Sequence, residues 1–254
     1  MLSFSESVRT GEFRGASDQR IKTIICIGIG GSLYGTKSAY EALKMTKEGN
    51  LESKGLKMQF LADIDPLDFK AILEDLDIET TLVIILSKSF TTEETMTNAE
   101  SLRNEFFDVY TKKDPEITKE SIISSHFCAV GLEVSKEKMS NFGIPESQQL
   151  YIWDWVGGRY SVSSAIGVLP LSIVFGFNTV QKMLKGMKSI DFHFYEEKKI
   201  EKNIPLLLGF IGFYNSVIKE YSSRAILPYN VGLSTFYQHI QQATMESNGK
   251  GVDS

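Results

Sequence analysis

Cysteine is scarce in this chain of 254 residues: there are two, Cys26 and Cys128. Each sits inside an apolar run, so both read as small core residues of a reduced, cytoplasmic protein, and no disulfide framework is expected. Histidine is nearly as rare. His126, His193 and His239 have no metal-ligand spacing, and no Ser/His/Asp or Cys/His set can be assembled around them. Positive charge is not in excess. Lys and Arg number 27 against 32 Asp and Glu, a net charge of −5. That balance argues against a nucleic-acid partner, and no polybasic run points to a membrane surface. Any anionic ligand therefore needs a local positive site, not a global field. A bilayer-length apolar run is also missing. The most apolar stretch, Ile204 to Ile218, falls short of the roughly 20 residues a span needs. It is interrupted by Gly209 and Asn215, and reads as a buried core helix. Met1 to Arg20 is polar, without the apolar core of a signal peptide.

What is present is a soluble α/β pattern, with 42% hydrophobic and 23% charged residues. Short apolar runs recur: Ile24 to Ile27, Met58 to Ala62, Leu82 to Leu86, Phe127 to Val130 and Leu150 to Trp153. Continuous runs of this length, rich in β-branched residues, suit strands buried on both faces. Helical stripes lie between them. Thr36, Ala39, Tyr40 and Leu43 form one; Met96, Ala99, Leu102 and Phe106 form another, opened by a capping box from Thr91 to Glu94. Strand, helix, strand, repeated, predicts a parallel sheet between helices, with ligands beyond the carboxyl ends of the strands. After residue 175 the pattern changes. Helices are expected at Gln181 to Lys188 and Asn203 to Tyr221, joined by a charged link. A short run, Ala225 to Leu227, then reads as a strand, followed by a helix from Ser234 to Glu246 that begins a second α/β unit.

Four segments carry candidate chemistry. Gly28-Ile29-Gly30-Gly31-Ser32 follows the first strand. Glycines there let backbone approach a ligand and aim a helix N-terminus at an anion, or simply make a tight turn. A dinucleotide fingerprint needs glycine where Leu33 stands, and the Gly-Lys-Ser/Thr of a P-loop is absent. Ser87-Lys88-Ser89-Phe90-Thr91-Thr92 gathers four hydroxyls and one ammonium before a helix. That set suits a phosphate monoester; the plain alternative is an N-capping threonine among solvated serines. In Gly157-Gly158-Arg159-Tyr160-Ser161 the arginine can hold a phosphate, a carboxylate or a developing oxyanion, or make a structural ion pair. In the last segment Gln242 and Glu246, four apart, share a helix face just before Asn248-Gly249, a helix-stop signal. A carboxylate at the negative end of a helix dipole is not there for helix stability. It is either a solvated surface group or a general base.

In order and spacing these four segments resemble motifs of the phosphoglucose isomerase family, and Trp155 to Gly167 is similar to a signature stretch of that family. The resemblance implies the sugar-isomerase (SIS) fold, a flavodoxin-like three-layer αβα parallel sheet. It places a first SIS domain at 15–175, and connecting helices with the start of a second, truncated one at 176–254. It implies that Ser87, Lys88, Ser89 and Thr92 hold a substrate phosphate, while Ser32, Gly158 and Gln242 contact the sugar. Arg159 would stabilise an enediolate and Glu246 would act as general base. The implied reaction interconverts glucose 6-phosphate and fructose 6-phosphate through a cis-enediolate, without metal or redox cofactor, in a cytoplasmic homodimer. Ser163 stands where tryptophan is common in the family, and Ser89 where threonine is usual. The family's ring-opening histidine and lysine are not matched here, and the polar Gly251 to Ser254 ending resembles a cut, so a fragment is expected. A non-catalytic SIS module that binds a sugar phosphate is the alternative. Such a sensor has no need of both Arg159 and Glu246.

Overall fold

Residues 1–250 are described in the computed structural model; Gly251 to Ser254, the expected cut end, lie outside the described residues. The five apolar runs become β1 (Thr23–Ile27), β2 (Lys57–Leu61), β3 (Thr81–Leu86), β4 (Phe127–Leu132) and β5 (Gln149–Ile152). They form one sheet in the order β2-β1-β3-β4-β5, every neighbouring pair parallel. All six residues of the central β3 are buried, which is why its sequence is continuously apolar and not alternating.

Helices cover both faces. Alternate strand residues sort them, because successive side chains point to opposite sides of a sheet. Ile24, Cys26, Leu82, Ile84, Cys128 and Val130 face one layer. It is built from α1 (Leu2–Thr10), α2 (Tyr34–Lys44), the short α3 (Lys47–Glu52), α8 (Ala165–Phe175) and α9 (Phe177–Glu196). Ile25, Ile27, Val83, Ile85 and Ala129 face the other, made by α4 (Pro66–Glu74), α5 (Glu93–Lys113), α6 (Lys119–His126) and α7 (Lys136–Phe142). The three-layer parallel architecture expected from the strand spacing is therefore present. Both cysteine thiols are buried and free. Burial pushes them well above the ordinary thiol value, so they are inert core atoms.

The later part of the chain departs from expectation in three places. First, helix α10 (Ile204–Phe213) passes into a π-helical turn, Tyr214–Ile218. It is not the expected buried core helix: Ile204, Leu208, Phe210 and Phe213 are exposed, since within the described residues it packs mainly along α9. Second, among the described residues one segment, Gly158–Phe175, has the length and composition of a membrane span. From Ile166 onward it is buried in the core of the first sheet. Third, Ala225 to Leu227 is not a strand. The described strands all belong to the one sheet, so this run has no ladder partner. Helix α11 (Phe236–Asn248) forms as expected, shifted by about one half turn.

One buried polar group makes a stability prediction. His126 closes α6 with its ring fully enclosed. Nδ1–H donates to the Thr81 carbonyl at 2.7 Å. Nε2 accepts from the Ala16 N–H at 2.9 Å and pairs with the Tyr110 hydroxyl at 2.7 Å. That pattern fits the neutral ring, and burial lowers its pKa from 6.5 to about 4. The unfolded chain takes up this proton near pH 6.5 and the folded chain only near pH 4. Between those values the unfolded state binds more protons, so this contribution is complete above pH 6.5 and lost as pH falls. We expect urea-unfolding free energy to drop by about 2–3 kcal/mol from this source as pH falls through that window. The drop should shrink by that amount in His126→Gln; an unchanged pH slope in the variant would refute the assignment.

Candidate functional site

In the strand order β2-β1-β3-β4-β5 the chain switches direction between β1 and β3. Such a switch opens a crevice at the carboxyl ends of the strands. The loops after β1 and β3 flank it, and the loop after β5 bends in to meet them.

The β3 loop is the most ordered by its own side chains. Phe90 has φ +51, uncommon for a bulky residue. Its ring is buried and packs edge-on against Phe142 at 6.0 Å. Burial of that ring holds the backbone turned, with Ser89 and Thr91 exposed on either side of it and Ser87 buried at its base. The Phe90 N–H donates to Ser87 Oγ at 3.1 Å, and Ser87 Oγ lies 3.3 Å from Thr92 Oγ1. Thr91 Oγ1 donates to Ser89 Oγ at 2.8 Å. The expected capping box from Thr91 to Glu94 does not form. Thr92 is the residue preceding α5, and its hydroxyl is spent on Ser87, not on a helix N–H. The N-terminus of this 21-residue helix therefore has no side-chain cap, and its free N–H groups suit an anion.

Lys88 does not sit among those hydroxyls. Its Nζ donates to the carbonyls of Asp154 and Val156, the latter at 3.1 Å. It ties the β3 loop to the β5 loop. Sequence reasoning missed both partners, because backbone carbonyls 66 and 68 residues away leave no side-chain signature.

The β1 and β5 loops touch directly. A Cβ built on Gly31 would lie 2.2 Å from the carbonyl carbon of Gly158 and 2.7 Å from the Arg159 nitrogen. Only glycine fits. Ser161 Oγ donates to the Gly31 carbonyl at 3.0 Å and fastens the contact. Ser32 ends the tight turn Gly30–Ser32 beside it. Gly30 has φ +56, and a Cβ there would lie 3.0 Å from Gln242 Nε2. Thus α11 comes down onto the same glycines. It docks on α2, where His239 faces Gly35, and the apolar setting lowers the His239 pKa.

At the end of α11 the predicted pair meets. Arg159 Nη1 lies 3.4 Å from Glu246 Oε2, and Gln242 Nε2 donates to Glu246 Oε1 at 2.8 Å. Arg159 and Glu246 are 87 residues apart, so only the fold joins them. An exposed ion pair of this length adds about 0–1 kcal/mol, too little to explain the arrangement as a stabilising device. Two neighbours were not foreseen. Arg159 Nε donates to Ser247 Oγ at 2.9 Å, and the Tyr160 hydroxyl lies 3.2 Å from the same oxygen. Both adjoin predicted residues, but nothing in their spacing announces the pairing. Hydrogen bonding from Ser247, then from Arg159, draws the Tyr160 phenol below its usual pKa. Among the described residues, no three His, Cys, Asp or Glu side chains cluster as metal ligands.

Fold and site together define a parallel-sheet α/β protein with hydroxyl-rich and glycine-rich loops meeting at its switch point. The phosphoglucose isomerase family model matches residues 1–254. The cytosolic A glucose-6-phosphate isomerase of rice is 45% identical over 249 residues, 98% of this chain and 42% of the rice protein. The cytosolic enzyme of Arabidopsis thaliana shows the same identity and coverage. A crystal structure of glucose-6-phosphate isomerase from Chlamydia trachomatis superposes with a TM-score of 0.79 at 32% identity, over 99% of this chain and 43% of that one. The chain belongs to the phosphoglucose isomerase family. It spans 42% of the length of these curated relatives.

The Gly31 contact generates a prediction. Gly31→Ala must push the Gly158 backbone aside and should cost about 2 kcal/mol or more. Gly157→Ala, whose Cβ would meet only Tyr160 at 3.7 Å, should stay within about 0.5 kcal/mol. Urea titrations giving the reverse order would contradict the packing.

Proposed function

We propose that this chain carries the phosphate-binding loop and the proton-transfer pair of an aldose–ketose isomerase acting on glucose 6-phosphate and fructose 6-phosphate. The observation that supports this most is the meeting of Arg159 with Glu246 over the glycines at the switch point. A module that only binds a sugar phosphate has no use for a base paired with an arginine.

In this reading the substrate phosphate sits against Ser87, Ser89 and Thr92 at the uncapped start of α5. Lys88, held on the Asp154 and Val156 carbonyls, supplies the nearby positive charge. Binding energy from this remote group orients the reacting carbons. Ser32, Gly158 and Gln242 contact the sugar. Glu246 removes the C2 proton and returns it to C1 on the same face. Gln242 holds one carboxylate oxygen at 2.8 Å, leaving Oε2, with its longer 3.4 Å contact to Arg159, as the basic atom. As the proton leaves, negative charge spreads onto the enediolate oxygens and Arg159 offsets it. The chemistry is proton transfer, and no cofactor takes part in it.

Residues 15–175 form the first SIS domain in this account, and 176–254 the connecting helices and start of a second. The whole protein would be a cytoplasmic homodimer with a small sugar phosphate as its ligand, and neither nucleic acid nor membrane as a partner.

Exchange at C2 tests the assignment without requiring fast ring opening. Glucose 6-phosphate incubated with the protein in deuterium oxide should lose its C2 proton signal faster than in buffer alone. In Glu246→Gln the protein-dependent rate should fall by about 10²-fold or more. Equal exchange by both proteins, or none by either, would contradict the proposal.

A further inference from the structure

The Arg159 guanidinium has a second anchor besides Glu246. Its Nε donates to Ser247 Oγ at 2.9 Å, a normal length, whereas the Nη1 contact to Glu246 is 3.4 Å and at the long edge of hydrogen bonding. The shorter bond is thus to the neutral hydroxyl, not to the carboxylate. Ser247 Oγ also meets the Tyr160 hydroxyl at 3.2 Å, and the Tyr160 ring lies 5.1 Å from the guanidinium carbon. The arginine is therefore held by a hydroxyl at one edge and flanked by an aromatic ring. Serine in a helix commonly turns its hydroxyl back to a carbonyl of the preceding turn. Here Ser247, in the last turn of α11, reaches across to the β5 loop.

We propose that Ser247 is a positioning residue for the isomerisation. It fixes the Arg159 guanidinium through Nε, with Tyr160 completing the cradle, so that the remaining N–H groups face the developing enediolate charge. Without it, the stronger charge attraction would pull Arg159 fully onto Glu246. The base and the oxyanion stabiliser would then neutralise each other. Ser247 follows Glu246 directly in the chain, so one helix end sets both the base and the arginine's distance from it. This inference rests on the proton-transfer reading for its catalytic consequence, while the Ser247–Arg159 contact can be tested apart from it.

Two measurements on the same proteins separate the parts. Side-chain 15N–1H spectra of the ligand-free protein should show the Arg159 Nε proton slowed in its exchange with water. Ser247→Thr, which keeps the hydroxyl, should preserve that protection; Ser247→Ala should lose it with the fold intact by circular dichroism. Protein-dependent C2 deuterium exchange should fall about ten- to hundredfold in rate constant at saturating glucose 6-phosphate in Ser247→Ala, the scale of a lost bond to a charged group. Half-saturation should change little, and Ser247→Thr should restore most of the rate. An Arg159 Nε proton equally protected in Ser247→Ala overturns the contact. Lost protection with an unchanged exchange rate overturns the positioning role while leaving the proton-transfer reading in place. Absence of exchange in the wild-type protein overturns that reading, and with it the catalytic consequence, whatever the spectra show.

Discussion

The contact between Gly31 and Gly158 is the constraint on which the site depends. Two loops from strands at different positions in the sheet approach until a single Cβ would not fit between them. Because Gly158 precedes Arg159, that approach sets where the arginine's backbone begins. Because Gly30 has no side chain, Gln242 and the α11 helix can settle on the other side of the same turn. Arg159, Gln242 and Glu246 meet as a consequence of backbone packing, not of attraction between charges. An exposed ion pair could not hold two elements together against their conformational freedom. The glycines supply geometry and the charged groups use it.

Electrostatics follows the same division. The chain is acidic as a whole, so no long-range field draws an anion to it. In the proposed function what draws one is local: the exposed hydroxyls around the buried Phe90, the uncapped N-terminus of α5, and the Lys88 ammonium. Lys88 has a second effect through its bonds to the Asp154 and Val156 carbonyls. It ties the β3 loop to the arginine loop as one mechanical piece, so that in the proposed function a phosphate resting on one loop is placed relative to the other.

Much of this was legible in the residues. The β1 and β3 runs are apolar because both faces of the sheet are covered, and such runs alternating with helical stripes announced a parallel sheet. Glycine and hydroxyl clusters at strand ends marked the loops. What escaped had partners that sequence does not display. Lys88 bonds to carbonyls, which every residue carries. Ser247 and Tyr160 are defined by a contact 87 residues long. Thr91 was expected to cap α5 in a box with Glu94, yet the helix begins after Thr92, and the Thr91 and Thr92 hydroxyls bond Ser89 and Ser87 across the turn at Phe90. Ala225 to Leu227 had strand composition but no strand beside it, and composition cannot supply a neighbour. The apolar stretch of α10 was expected inside, and lies exposed among the described residues, since hydrophobicity reports a preference for burial and not what does the burying.

The central claim is that the three loops form one anion-centred site. The most direct measurement is an amide NMR titration with 6-phosphogluconate, a sugar phosphate that cannot isomerise. Amides of Ser87 to Thr92, Gly30 to Ser32, and Gly158 and Arg159 should shift together along a single saturation curve. Shifts confined to one loop, or saturation of the Ser87 to Thr92 amides without response at Gly158 and Arg159, would contradict the account.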